Sequence, residues 1–208
     1  MSFLNEHLPP LKVFLSENLQ RTRKFSRLFF IASVALGVVL YLTDPATTNS
    51  ILEEFSEIVQ EAGVIDETTG KLSVFVLLQN NWMAMLSTVI FGFLPFLLLP
   101  ALSLFSNGVL LGVLAGMYLT TGELGISLFL AGILPHGIFE IPAMLLSSAC
   151  GIYLCLNASL FLCKRPCINL VKLITDLLRV LLLVIAPLTI AAAFIECYVT
   201  PLIMALFQ

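Results

Sequence analysis

Charge is scarce in this sequence. Charged residues make up 11% of the 208 positions and hydrophobic residues 59%, whereas a soluble domain carries roughly 25% charge. So few polar groups cannot cover a water-facing surface, and lipid is the solvent that the composition calls for. Histidine is almost missing too, at His7 and His136 alone, a thin supply for a metal centre. No glycine-rich phosphate loop ending in Lys-Ser/Thr occurs, no Gly-x-Ser-x-Gly elbow and no His-Glu-x-x-His pair, so the common soluble-enzyme signatures are absent. The five cysteines, Cys150, Cys155, Cys163, Cys167 and Cys197, form no disulfide framework. Four gather at an expected cytoplasmic, reducing end and read as small packing residues. The Cys163–Cys167 spacing departs from a zinc knuckle. No cofactor is called for.

The charge that is present is segregated. Lys12, Arg21, Arg23, Lys24 and Arg27 precede the first apolar run, and Lys164, Arg165, Lys172 and Arg179 flank the last. Basic flanks stay inside, which puts the N-terminus and the loop near residue 165 in the cytoplasm. Aromatics interleave poorly with the first cluster, and it abuts a span, so anionic lipid is its expected partner and nucleic acid is not. Asp44, Glu53, Glu54, Glu57, Glu61, Asp66 and Glu67 lie between the first two runs, opposed only by Lys71, as suits an external loop.

These patterns predict an all-α polytopic transmembrane bundle of about five spans in the cell membrane. Residues 1–24 form a cytoplasmic amphipathic segment, with Pro9 and Pro10 able to start a helix. Residues 25–208 form the transmembrane domain, with an external acidic loop at 43–81. The first span is Phe25–Leu42, uncleaved because no small-x-small site follows it. In the loop, Ser50 and Glu53 make a capping-box pattern. Ile51, Phe55, Ile58 and Ala62 recur at helical spacing, giving an amphipathic helix with an acidic outer face. The second span is Trp82–Leu102, with Trp82 at interfacial depth and Pro95 and Pro100 bending its inner half. The third runs from Ser103 to Thr121 and carries Gly108, Gly112 and Gly116, a small-x3-small stripe for close helix packing. Residues 124–163 are too long for one span, and Pro135, Gly137 and Pro142 break the run. Leu124–Leu134 is expected as a half-helix or re-entrant element, and Ile138–Cys163 as the fourth span. The fifth is Leu173–Ile195, kinked at Pro187.

Polar groups at membrane depth need a reason, since an ionisable one costs on the order of 2.5–3.5 kcal/mol on insertion scales. His136 and Glu140, four apart and on one helical face, flank the proline break. They could ligate a metal, relay a proton, or satisfy backbone groups that the prolines release. Glu196 ends the fifth span, Asn80 and Asn81 open the second, and Asn107 is placed as the N-cap of the third. No metal is assigned, with His136 and Glu140 as weak candidates.

The chain resembles the stage II sporulation protein M family of integral membrane proteins. The resemblance lies in Asn80-Asn81, Asn107-Gly108-x3-Gly112, the Leu134–Pro142 run with its Pro-His-Gly-x-x-Glu core, Gly151, Ile195-Glu196 and Thr200-Pro201. The family usually has glycine after the last glutamate, where this chain has Cys197. The resemblance implies about five spans and a partner role beside envelope-remodelling proteins, without catalytic activity of its own. The motif residues Asn80, Asn81, Asn107, His136, Glu140 and Glu196 carry over as positions of importance. The expectation is therefore a non-enzymatic scaffold in a cell-envelope complex, with a membrane or envelope protein as partner and a homo-oligomer possible. The alternatives are a small transporter or channel-like protein with its site at the broken helix, and a membrane-embedded metal enzyme using His136, Glu140 and Glu196.

Overall fold

A computed structural model describes residues 10–61 and 73–207, apart from the side chains of Val59 and Glu61. Ala62, Asp66, Glu67, Lys71, His7 and Pro9 lie outside the described residues. Among those described, every regular element is helical. A π-helical turn at Phe14–Asn18 leads into α1 (Gln20–Thr43), followed by α2 (Pro45–Glu61), α3 (Val74–Ile90), α4 (Leu99–Leu119) and α5 (Glu123–Leu162). A π segment at Leu181–Ile185 joins α6 (Leu170–Val180) to α7 (Ala186–Tyr198), and α8 (Thr200–Met204) ends the series. Among the described residues, five helices are long and apolar enough to cross a membrane: Gln20–Thr43, Val74–Phe93, Leu99–Leu119, Glu123–Leu162 and Leu170–Tyr198. Large apolar side chains such as Leu28, Ile31, Phe75 and Leu102 stand exposed on their outer faces, where lipid would solvate them. The protein is a multi-pass helical membrane protein, as its composition requires.

Contacts between the helices fix their directions. Phe30, Val34 and Tyr41 of α1 meet Gly108, Gly112 and Gly116 of α4 in that order, so these two run parallel. Gly92, just past α3, meets Gly151 and Leu154 of α5, and Gly151 also meets Thr88, so α3 and α5 run parallel as well. Ser148 Oγ on α5 donates to the Pro100 carbonyl at the start of α4 (3.1 Å), which makes α4 and α5 antiparallel. Five spans of alternating direction follow. The glycine stripe is the closest seam. A Cβ on Gly112 would come against the Val34 carbonyl and one on Gly37 against that of Val109, an approach that only paired glycines permit.

The N-terminal segment is part of the bundle. Leu11, Phe14 and Leu19 are buried in the main core with Met85, Val89, Ala143, Cys150, Leu173 and Ile185. Phe14 packs edge-on to Tyr153 (5.8 Å between ring centres), and Asn18 Nδ2 reaches the Tyr153 hydroxyl. Both basic clusters thereby come to the same end of the molecule.

Several sequence expectations need correction. Residues 124–163 are not interrupted: α5 runs unbroken through Pro135 and Pro142. Each proline removes one N–H and frees one carbonyl, those of Ala131 and Ile138, a cost that packed membrane helices tolerate. Leu124–Leu134 is accordingly no re-entrant element, and Gly137 sits buried inside the helix. The second span begins and ends earlier than Trp82–Leu102. Pro95 follows its last 3-10 turn at Phe91–Phe93, and Pro100 lies in the first turn of α4, where its missing N–H costs nothing. Phe96 (φ 67°) and Leu98 (φ 47°) turn the chain between the two. Trp82 is therefore mid-helix, packed against the core. Asn107 lies inside α4 and caps nothing.

The acidic helix also starts earlier than Ser50. Asp44 caps α2, its Oδ1 accepting from the Thr47 N–H (3.1 Å) and Oδ2 from the Thr47 hydroxyl (2.7 Å). At the other end, Cys163 and Cys167 are exposed, not the packed residues that the sequence suggests, unlike buried Cys150 and Cys155.

Candidate functional site

The polar residues that sequence analysis singles out fall into two groups. Asn107 stands exposed on α4, and its Nδ2 donates to the Ser103 carbonyl of its own helix (2.8 Å). The others lie on α3, α5 and α7, and of these His136, Glu140 and Glu196 come together. α5 is continuous, so His136 and Glu140 project from one face, with His136 Nε2 3.9 Å from Glu140 Oε2. α7 runs antiparallel to α5 and brings Glu196 alongside. One ligand atom from each of His136, Glu140 and Glu196 lies within 4.8 Å of the other two. The next turn, in α8, supplies Thr200, whose Oγ1 is 3.4 Å from His136 Nδ1.

Asn80 and Asn81 sit on α3, two turns inside its start. Leu77, one turn before Asn81, packs with Ala193 and Cys197 of α7, so this face of α3 looks towards the helix that carries Glu196. Asn81 Nδ2 is buried there and has no hydrogen-bond partner.

The trio sits at depth. His136 is about 20 Å along the axis from Glu123, and Glu140 about 33 Å from Leu162. The side chain of His136 is 12% exposed and that of Glu140 31%. Two open clefts, each near 450 Å³, lie at the opposite end of the bundle. One is lined by Phe96, Leu156 and Arg165 and the other by Phe14, Lys172 and Asp176, and neither includes a member of the trio.

Chemically the cluster offers one imidazole nitrogen and two carboxylates on two helices. Such a set can share a proton or hold a cation. Thr200 is the neighbour to which the sequence reading assigns no site role, naming it only within the family resemblance. Its signal is a spacing: Thr200 follows Glu196 by four positions across the α7–α8 junction, as Glu140 follows His136 within α5.

The sequence pattern of the family described as stage II sporulation protein M matches residues 26–201. The chain belongs to that family. The match runs from the first span to the turn that carries Thr200. One relative is an uncharacterized protein of Methanocaldococcus jannaschii, 38% identical over 126 residues, which cover 60% of this chain and 69% of the relative. No solved structure matches this member of the stage II sporulation protein M family.

Proposed function

We propose that this member of the stage II sporulation protein M family is a non-enzymatic organiser of a cell-envelope complex. In this role it resides in the cell membrane, with both basic clusters on the cytoplasmic side, and holds a membrane or envelope protein as partner. The observation that carries it is α2. This helix has acidic Glu53, Glu54 and Glu57 exposed, and apolar Phe55 and Ile58 exposed as well. It is fastened mainly at its first turn, where Thr48 is buried and its hydroxyl donates to the Leu40 carbonyl (3.3 Å). An amphipathic helix with its apolar face uncovered is built to lie on something. The glycine stripe of α4 gives no such support, since α1 fills it. Capture of partners on the tagged full chain from native membranes tests the role. A specific protein should be recovered, and lost with Phe55→Glu/Ile58→Glu while the variant remains monodisperse. Recovery of nothing specific, or equal recovery by the variant, refutes it.

A second role, small-ion transport, draws on the ionisable trio between spans. It no longer has an interrupted helix behind it. Reconstituted liposomes under ion and proton gradients test it, and absence of flux refutes it.

A further inference from the structure

We propose that His136, Glu140 and Glu196 form a binding site for one divalent first-row transition ion, with zinc as the best match to one nitrogen and two oxygen donors. This goes beyond the organiser role and stands whether or not a partner docks on α2.

Three observations converge on it. The first is charge. Glu140 and Glu196 converge between spans, yet α3, α4, α5, α7 and α8 contain no lysine or arginine. Arg179, on α6, is engaged by Asp176 (2.7 Å) and lies about 25 Å along the chain's axis from Glu196. A divalent ion neutralises two carboxylates in full, with the imidazole neutral as a ligand must be.

The second is the imidazole's orientation. Nδ1 faces Thr200 Oγ1 at 3.4 Å, and in the tautomer whose Nδ1–H donates to that hydroxyl, Nε2 carries its lone pair towards Glu140. At 3.9 Å the two are too far apart for a hydrogen bond, and both are acceptors. An electron-pair acceptor between them resolves that. Metal-bound histidines have this arrangement: the second ring nitrogen donates to a neighbour that fixes tautomer and ring plane.

The third is size. An ion about 2.0–2.2 Å from each donor holds tetrahedral ligands about 3.3–3.6 Å apart. Donors already within 4.8 Å reach that spacing by turning the glutamate carboxylates by about 1 Å. Three protein ligands leave a fourth position for water or for a further donor. Half-buried Asn81 lies on α3, on the face that looks towards α7, and its buried Nδ2 has no hydrogen-bond partner.

The experiment uses the full chain in detergent, stripped with chelator and reloaded with Co²⁺ or Zn²⁺. The wild type should bind about one equivalent of Zn²⁺ by mass spectrometry, and Co²⁺ should give the visible absorption of a low-coordinate N/O site. His136→Ala, Glu140→Gln and Glu196→Gln should each weaken binding at least 10-fold, judged on variants that elute as the wild type does. Cys163→Ser/Cys167→Ser should bind as the wild type does, since the exposed thiols are not ligands. Wild-type protein that takes up neither ion overturns the proposal. So does binding that survives all three trio substitutions, or binding that disappears with the two cysteines.

Discussion

Replacing Gly112 by alanine should loosen the seam between α1 and α4. A Cβ there would meet the Val34 carbonyl and lie 2.8 Å from the Gly37 Cα. Carbon atoms settle at about 3.5–4.0 Å, so the helix axes would have to part by about 1 Å at this point. Both obstacles are helical backbone and cannot rotate aside. Overpacking of this kind costs about 1–3 kcal/mol, and the better helix propensity of alanine returns at most about 1 kcal/mol. For a chain of this length each kcal/mol moves the midpoint by about 2–4 °C, so the variant should melt several degrees below wild type. Gly132→Ala is the control. A Cβ there touches only the flexible Met204 side chain, at 3.6 Å from its sulfur, and stability should hold or rise slightly. Heating the detergent-solubilised chain and measuring the monodisperse fraction reads both. If Gly112→Ala melts with wild type, or Gly132→Ala falls as far, backbone proximity is not what holds this pair.

Ser148→Ala removes the buried bond to the Pro100 carbonyl and should cost about 0.6 kcal/mol, the usual worth of such a bond between membrane helices, seen as a small drop in the same melt. The Asp44 carboxylate is held below its usual range, first by the Thr47 hydroxyl and then by the Thr47 N–H. A depressed folded value means that its help to α2 is present above the unfolded value near 3.8 and fades as pH falls through the folded one. Carboxyl titration by NMR should therefore give Asp44 a value below 3.8, and Thr47→Val should raise it. Trp82, the sole tryptophan, should emit as a shielded indole that iodide does not quench, in contrast to an interfacial ring. Cys163 and Cys167 should react with an impermeant maleimide, and in right-side-out vesicles only after permeabilisation. Labelling of intact vesicles would invert the proposed topology.

The bundle was readable from sequence because the solvent is written in composition, and the number of spans follows from apolar length and basic flanks. Proline defeated the boundaries. Pro100 opens a helix while Pro135 and Pro142 ride inside one, and all three sit in similarly apolar runs. The difference lies in what surrounds them: Pro100 packs against Gly151, a partner 51 positions away in the numbering. The candidate site divides likewise. His136 and Glu140 announce themselves by spacing, whereas Glu196 and Thr200 join them only through the antiparallel packing of α5 and α7. Asn80 and Asn81 stand out as polar residues in an apolar run, but their depth depends on where α3 starts, and that is Val74.

The length of α5 has a consequence for how the molecule would sense its surroundings. Forty residues make a rod of about 60 Å in a hydrocarbon layer about 30 Å thick. Most of the excess must be taken up by tilt or by projection beyond the lipid, and a change in bilayer thickness shifts that compromise. The rod carries His136 and Glu140, while Glu196 belongs to a separate rod lying against it. A slide of one helical turn, about 5.4 Å, would pull the second carboxylate clear of the pair. Bilayer thickness therefore bears on whether the three side chains meet at all.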